Sequence, residues 1–353
     1  MTPVIATSCQ GASEAAFRVR LELPGRGLVA HGVELRLLPL FTDSEAPRFR
    51  DGSLAVKVSA LAGARRCLRR ELRAADADTV LVQRHVDLAP PLSLERAAVR
   101  GRRLIYDVDD AIWLSGRQSG GHPLGTLKGA RRKVRWLAER ASHSIAGNEI
   151  LAEHLASYGG GPITVVPSLV DPAASEMRRH EQGEEVTLGW IGSPTTASYL
   201  RGATPALKRF AATSARPVRL LVVGGRAPSL AAARVEEWAW SPAAERRALA
   251  EIDIGLMPLV DTPWTRGKCA YKALQYMASG IPAVVDAVGI SAATVAGAGF
   301  AATGTDQWVE ALQSLADDAS LRNRLGAAGR ARVEAEFSPR RWLPTLATIL
   351  RGA

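Results

Sequence analysis

"VDPAASEMRRHEQGEEVTLGWIGS", residues 170–193, is the stretch on which the fold turns. Its first sixteen residues are polar and carry no apolar period, so they read as a linker. Its last eight read as a strand running into a Gly/Ser loop. The pattern before the linker is then repeated after it. Upstream, short apolar runs at 3–8, 33–40, 79–84, 103–110, 143–148 and 163–169 alternate with helical patterns such as "LAGARRCLRRELRAAD" at 61–76. Downstream, "VTLGWIGS" is followed by "TPALKRFAAT", "VRLLVVGG", "AAERRALAEI" and "IGLMPL". Strand–helix alternation of this kind specifies a parallel sheet covered on both faces. A restart after a polar stretch specifies two such sheets. The chain therefore reads as α/β, two Rossmann-like doubly wound domains with a cleft between them. The expected limits are 1–172, a linker at 173–185, and 186–337. "SPRRWLPTLATIL" within 338–353 is expected as a final helix that can return to the first domain. In open parallel sheets, ligands sit beyond the carboxyl ends of the strands.

Composition permits this and decides little else. The 353 residues hold 47% hydrophobic and 23% charged side chains, ordinary for a globular chain with two cores. Net charge is +10, with 45 Lys and Arg but only six lysines. Such an arginine bias makes a scattered arginine uninformative. The charge alone suits nucleic acid, an anionic membrane surface or an anionic substrate. No run of about 18 uncharged apolar residues predicts a membrane span. The N-terminus lacks the pattern of a signal peptide. Cys9, Cys67 and Cys269 have no metal-binding or paired spacing and fit a reduced cytosol.

"RGKCAYKALQYMASGIPAVV", residues 266–285, reads as a helix entering a buried strand. Arg266, Lys268 and Lys272 are expected in its first turn, with the two lysines on one face. Cations are unfavourable at a helix N-terminus, unless an anion binds there. Gly267 leaves room for close approach. In the loop after "VTLGWI", Gly192 allows the same, and Ser193, Thr195 and Thr196 offer hydroxyl and N–H donors to phosphate. Gly224 closes "VVGG". Trp240 of "WAWSP" reads as a base-stacking ring or a core anchor. "YDVDD" ends a strand with Asp107, Asp109 and Asp110; Asp107 and Asp109 share a face. They read as a general base or orienter, as a metal-binding pair, or as a cap for the next segment. In "LKGARRKVRWLAERA", Leu127, Ala130, Val134, Leu137, Ala138 and Ala141 form the apolar face. Trp136 falls opposite, near Arg132, Lys133 and Arg140, which suggests anionic-membrane contact or cation–π packing.

Together, "GWIGSPTTASYL", "DIGLMPLVDTPWTRGKCAYKALQYMASGIPAVV" and "DVDD" resemble family 4 glycosyltransferases of the GT-B fold. "GAS…FRVRLELPGRGLVAHGVEL", "VQR" at 82–84, "AGN" at 146–148 and "VVPSLVD" at 165–171 extend the likeness over nearly the whole chain. The resemblance implies sugar transfer from a nucleotide-diphosphate sugar with retention, no bound metal and no cofactor beyond that co-substrate. It places the donor in the C-terminal domain, with Gly192, Ser193, Thr196, Gly224, Trp240, Arg266, Gly267, Lys268, Lys272 and Gln275 as its contacts. Lys268, Asp109 and Asp107 become catalytic candidates; Gly11, Ser13, Arg18 and Arg84 fall on the acceptor side. Two departures stand out: Gly267 and Gln275 replace the family's spaced glutamates, and "GSPTTASYL" lacks its usual Arg and Lys. The rivals are a metal-dependent transferase using Asp107 and Asp109, a non-enzymatic basic module binding nucleic acid or membrane, and a dinucleotide oxidoreductase. The last is disfavoured because no GxGxxG follows any strand. The expectation is a cytoplasmic enzyme with an unidentified acceptor, at most peripheral contact with an anionic membrane, and no nucleic acid.

Overall fold

The computed structural model describes residues 1–11, 14–114 and 129–352. Its chain divides into two compact units. The first holds Met1–Leu169, the tripeptide Gly267–Cys269 and the C-terminal segment from Pro339; the second holds Val170–Arg266 and Ala270–Ser338.

The first unit is a six-stranded parallel sheet. Its strands are β1 (Thr2–Ser8), β2 (Val33–Pro39), β3 (Thr79–Gln83), β4 (Arg103–Val108), β5 (His143–Ala146) and β6 (Ile163–Val165), in the order β2-β1-β3-β4-β5-β6. β1 pairs in parallel with β2 and with β3, so the strand order reverses direction between β1 and β3. That is the switch point at which an open α/β sheet binds ligands. The second unit repeats the plan with β7 (Val186–Ile191), β8 (Val218–Val223), β9 (Ala233–Trp238), β10 (Ile254–Met257), β11 (Ala283–Asp286) and β12 (Gly299–Ala302). The order β12-β11-β10-β7-β8-β9 puts its switch point between β7 and β10, at Gly192. β8 is buried at every position, as a strand covered on both faces requires.

The helices of seven residues or more are α1 (Leu54–Ala74), α2 (Ser93–Val99), α3 (Ala130–Arg140), α4 (Glu149–Ala156), α5 (Thr204–Thr213), α6 (Pro242–Glu251), α7 (Tyr271–Ala278), α8 (Gly304–Asp317), α9 (Ala319–Arg332) and α10 (Pro339–Arg351). α10 belongs to the first unit for a reason visible in its sequence. Leu343, Leu346, Ala347 and Leu350 recur at helical spacing and are buried with Phe17, Leu21 and Leu28. Each leucine so buried contributes about 1.5–3 kcal/mol. Arg103 adds a C-terminal cap by donating to the Ile349 carbonyl at 3.0 Å.

The segment expected as a linker at 173–185 packs onto the second unit. The Arg178 backbone N–H donates to the Ser279 carbonyl at 2.8 Å, and its guanidinium reaches Asp253 at 2.8 Å. His180 is buried, with Nε2 2.9 Å from the Gly280 carbonyl. A polar stretch without apolar period can still be held by side-chain hydrogen bonds to helix ends.

Candidate functional site

In the first unit, the carboxyl ends of β1, β3 and β4 carry a chain of charged side chains. Three carboxylates at one strand end repel, and two arginines resolve that repulsion. Arg20, in the helical run after β1, is buried and forms a two-pronged ion pair with Asp107, one arm at 3.0 Å. Its remaining nitrogen donates to the Val166 and Pro167 carbonyls at 2.8 and 2.9 Å. Burial opposes the charge on Arg20, but Asp107 outweighs it and raises the guanidinium pKa further.

Arg84 follows β3 with φ of +62°, a left-handed conformation that costs a non-glycine residue about 1–3 kcal/mol. Its partners hold it there. Its N–H donates to the Asp107 carbonyl at 2.8 Å. Its guanidinium donates to Asp109 at 2.6 and 3.1 Å and to Asp110 at 2.5 Å. The alternation expected to pair Asp107 with Asp109 stops where β4 stops, at Val108; beyond it Asp109 and Asp110 both turn to Arg84. Gln83 donates to Asp109 at 3.0 Å and accepts from Ser8 at 2.6 Å, which ties the group to the switch point. Burial pushes the Asp109 carboxyl up, but Arg84 overrides it and holds the pKa below the ordinary range.

The tripeptide Gly267–Cys269 completes this cluster. Asn148 caps α4 through its carbonyl oxygen, and its amide donates to the Gly267 carbonyl at 3.1 Å. A Cβ at Gly267 would lie 2.8 Å from that of Ala111, so only glycine fits. The Lys268 ammonium lies 3.5 Å from Asp110. Cys269 is buried, donates its thiol to the Asp109 carbonyl at 3.1 Å, and has its pKa pushed up to about 12 by burial; it is no nucleophile.

In the second unit, Gly192 and Gly224 sit back to back at the ends of β7 and β8. A Cβ at Gly192 would meet the Trp190 ring at 2.4 Å; one at Gly224 would meet the Gly192 carbonyl at 2.2 Å. The Lys272 ammonium lies 5.4 Å from the centroid of the buried Trp190 ring, beside this glycine corner. Ser193, Thr195 and Thr196 form a hydroxyl-bonded turn after Gly192, with Ser193 Oγ 2.8 Å from Thr195 Oγ1. Trp240 Nε1 donates to Glu245 at 2.8 Å, and the other oxygen of Glu245 accepts from Gln275 at 2.9 Å.

Several sequence expectations change here. The helix read through 266–280 is broken: Pro263–Arg266 forms a short turn, Ala270 is left-handed at φ +50°, and α7 begins at Tyr271. Lys268 and Lys272 therefore do not share a helix face, and only Lys272 is in the first turn. That turn has no acidic residue, and no side chain caps it. Arg266 is exposed and pairs with Asp261 at 2.6 Å, so part of the expected anion lies in the chain itself. The end of this helix is legible: Gly280, at φ +70°, closes α7 in a Schellman motif with Ile281 donating to Tyr276. Lys133 does not ring Trp136. It is buried, donating to Glu95 at 2.8 Å and to the Asp87 and Ala89 carbonyls. Arg140 stacks on Trp136 at 4.7 Å, the cation–π alternative. Gly11 abuts the Phe41 carbonyl, and Arg18 is half-buried after β1. Ser13 and Leu127 lie outside the described residues. No cluster of three His, Cys, Asp or Glu side chains among the described residues is placed to hold a metal ion. Sequence reasoning does not single out Arg20, Asn148, Trp190 or Glu245, although "FRVRLEL", "AGN" and "GWIGS" contain the first three.

Residues 185–318 match the family model described as "Glycosyl transferases group 1". No curated protein matches the chain. Among solved structures, the chain is similar to sucrose-phosphate synthase from Thermosynechococcus elongatus, with TM-score 0.74, 14% identity, and 100% of this chain and 99% of that one covered. It is similar to HepE of Anabaena, solved in complex with UDP and glucose, with TM-score 0.67, 14% identity and full coverage of both chains. WaaG, a glycosyltransferase involved in lipopolysaccharide biosynthesis, matches with TM-score 0.67 and 14% identity over 99% of this chain and 100% of that one. These likenesses show the GT-B fold, two Rossmann-like domains. The match over 185–318 is to a glycosyltransferase domain, and the chain is a glycosyltransferase enzyme.

Proposed function

We propose that this enzyme moves a sugar from a nucleotide-diphosphate sugar to an acceptor, with retention at the anomeric carbon and without a bound metal. The observation that carries the reading is the corner made by Gly192 and Gly224 at the second unit's switch point, with Lys272 beside it. Glycines permit backbone approach to phosphate, and the uncapped first turn of α7 leaves N–H groups to receive it. The UDP and UDP-glucose complexes of HepE support a nucleotide-sugar donor for a fold of this kind.

As the glycosidic bond to phosphate breaks, charge grows on the departing nucleoside diphosphate. Cations in place beforehand lower that barrier. Lys272 and Lys268 take this role, with Arg266 adding charge once it exchanges Asp261 for the ligand. Gln275 and Glu245 offer hydrogen-bonding groups to ribose hydroxyls, and Trp240 an aromatic surface to the base. On the acceptor side, ionised Asp109 orients the attacking hydroxyl. Asp107 works through Arg20, and Gly11, Arg18 and Arg84 shape the approach, with Ser13 kept on the acceptor side by the resemblance alone. A cytoplasmic location with at most peripheral membrane contact belongs to the same proposal. No helix among the described residues is long and apolar enough to cross a membrane.

The test is transfer from a panel of nucleotide sugars in the presence of EDTA, with the anomeric configuration of the product read by NMR. An inverted product, or activity that needs added manganese, would overturn the corresponding part.

A further inference from the structure

Where α10 crosses the sheet of the first unit it leaves an open cavity of about 610 Å³. Strand alternation decides what faces it. Arg103 and Ile105 share one face of β4, and His143 and Ile145 one face of β5. Register sets Ile105 beside His143, and Ile145 beside Thr164 of β6. This is the face that α10 covers: Ile105 and Ile145 are buried in one core with Leu343, Leu346 and Ala347. Arg103, His143 and Thr164 lie at the margin of that core and line the cavity. α10 contributes Thr345 and Thr348, about one helical turn apart.

The lining is basic and holds no acid. Arg103 donates to the Ile349 and Leu350 carbonyls, which takes up two of its five guanidinium N–H groups. His143 Nε2 lies 2.8 Å from Thr164 Oγ1, which engages one ring nitrogen. Among the described residues no carboxylate pairs with either side chain. Arg84, Arg178 and Arg219, also partly buried, each meet a carboxylate. Burial lowers the pKa of Arg103 and of His143, and Arg103 lowers that of His143 further. Two basic groups are thus brought together and partly desolvated without a counter-charge. Capping α10 accounts for one use of Arg103, but not for the histidine and hydroxyls around the cavity.

We propose that this cavity binds a small phosphomonoester with a hydroxylated body, a sugar or polyol phosphate, with its phosphate on Arg103 and His143 and its hydroxyls on Thr345 and Thr348. Guanidinium N–H groups match phosphate oxygens in geometry and charge. Threonine hydroxyls both donate and accept, as a polyol requires. The volume suits a whole small molecule rather than a bare ion. The occupant is not the acceptor hydroxyl at Asp109. Arg103 opens β4, and Asp109 follows its last residue, about 20 Å away along an extended strand. The site stands independently of the sugar-transfer reading, because it uses none of the donor or acceptor residues.

The experiment is calorimetric titration of sorbitol 6-phosphate, sorbitol and inorganic phosphate into the full chain. Sorbitol 6-phosphate is expected to bind the wild type at a single site, more tightly than inorganic phosphate, and sorbitol to give no measurable heat. Arg103→Gln is expected to weaken binding by about tenfold or more, as loss of a charge-assisted contact to phosphate implies. Thr345→Leu/Thr348→Leu fills the cavity while leaving the Arg103 cap in place, and is expected to weaken binding by a similar factor. Lys272→Ala is expected to bind as the wild type does, which separates this site from the donor corner. Circular dichroism melts of each variant distinguish lost binding from lost folding, and the threonine pair decides the matter where Arg103→Gln does not fold. No binding of sorbitol 6-phosphate to the wild type, equal affinity for inorganic phosphate, undiminished binding in either folded cavity variant, or its loss in Lys272→Ala would overturn the proposal.

Discussion

Arg84 Nε donates to Asp109 Oδ1 at 2.6 Å from a residue held in the left-handed region. The strained backbone and the ion pair depend on each other: without Asp109, the guanidinium loses its two-pronged partner. Asp109→Asn is therefore expected to cut transfer by at least tenfold while nucleoside-diphosphate affinity stays within a few fold, because Asp109 lies outside the donor-binding unit. Steady-state kinetics beside calorimetric titration checks this. Loss of nucleotide binding in the variant would show that the division of labour is wrong.

Arg20 and Asp107 form a pair with both side chains buried. Removing one partner of such a pair leaves an uncompensated charge and costs about 3–5 kcal/mol. Arg20→Met is expected to lower the first unit's stability by that amount in urea unfolding. Arg20→Met/Asp107→Leu should regain a large part of it. Equal instability of the single and double variants would argue against an electrostatic cause.

Lys268 has no apolar core to support, and Asn148 holds its backbone in place through the Gly267 and Lys268 carbonyls. Lys268→Ala is expected to leave the melting temperature within a few degrees and to slow transfer by about 10²–10³, the usual cost of one transition-state donor. Near-normal turnover in the folded variant would remove Lys268 from the mechanism.

Asp253 offers a pH signature for the second unit. Burial works to raise its pKa, but His180, the Thr187 N–H and Arg178 outweigh it and hold it at about 2. The unfolded value is about 3.9. A depressed native pKa stabilises the fold above the unfolded pKa, and that contribution disappears as pH falls from about 4 towards 2. The difference between the two values corresponds to roughly 2–3 kcal/mol. The stability difference between wild type and Asp253→Asn should thus shrink as the solution is acidified from about pH 6 to pH 3. A constant difference would mean that the carboxylate's charge is not what matters.

The fold is legible because parallel sheets write themselves as apolar runs. β1, β4, β7 and β8 appear in the sequence as "PVIATS", "RLIYDVDD", "VTLGWIGS" and "VRLLVVGG". Elements held by side-chain hydrogen bonds to carbonyls are not legible: the 173–185 segment has no apolar period, yet Arg178 and His180 fix it. In the candidate site, the glycine corner and the carboxylates can be named from residue type. Their pairing cannot: Arg84 can be named as an acceptor-side residue, but Arg20 is one arginine among many, and ion pairs over long sequence separations leave no local pattern. The break before α7 is hidden for a similar reason. Ala270 is a strong helix former, yet it is left-handed where the chain leaves Gly267–Cys269, which belong to the first unit, and re-enters the second.

The most direct measurement is calorimetric titration of UDP, GDP, ADP and TDP, with their glucose conjugates, into wild type and Lys272→Ala. If the Gly192–Gly224 corner holds the donor diphosphate, at least one nucleotide binds the wild type at a single site, and Lys272→Ala weakens it by about tenfold or more, as loss of one charge-assisted contact to phosphate implies. Binding of the same strength in both proteins, or no binding of any nucleotide to a folded wild type, would contradict the central claim.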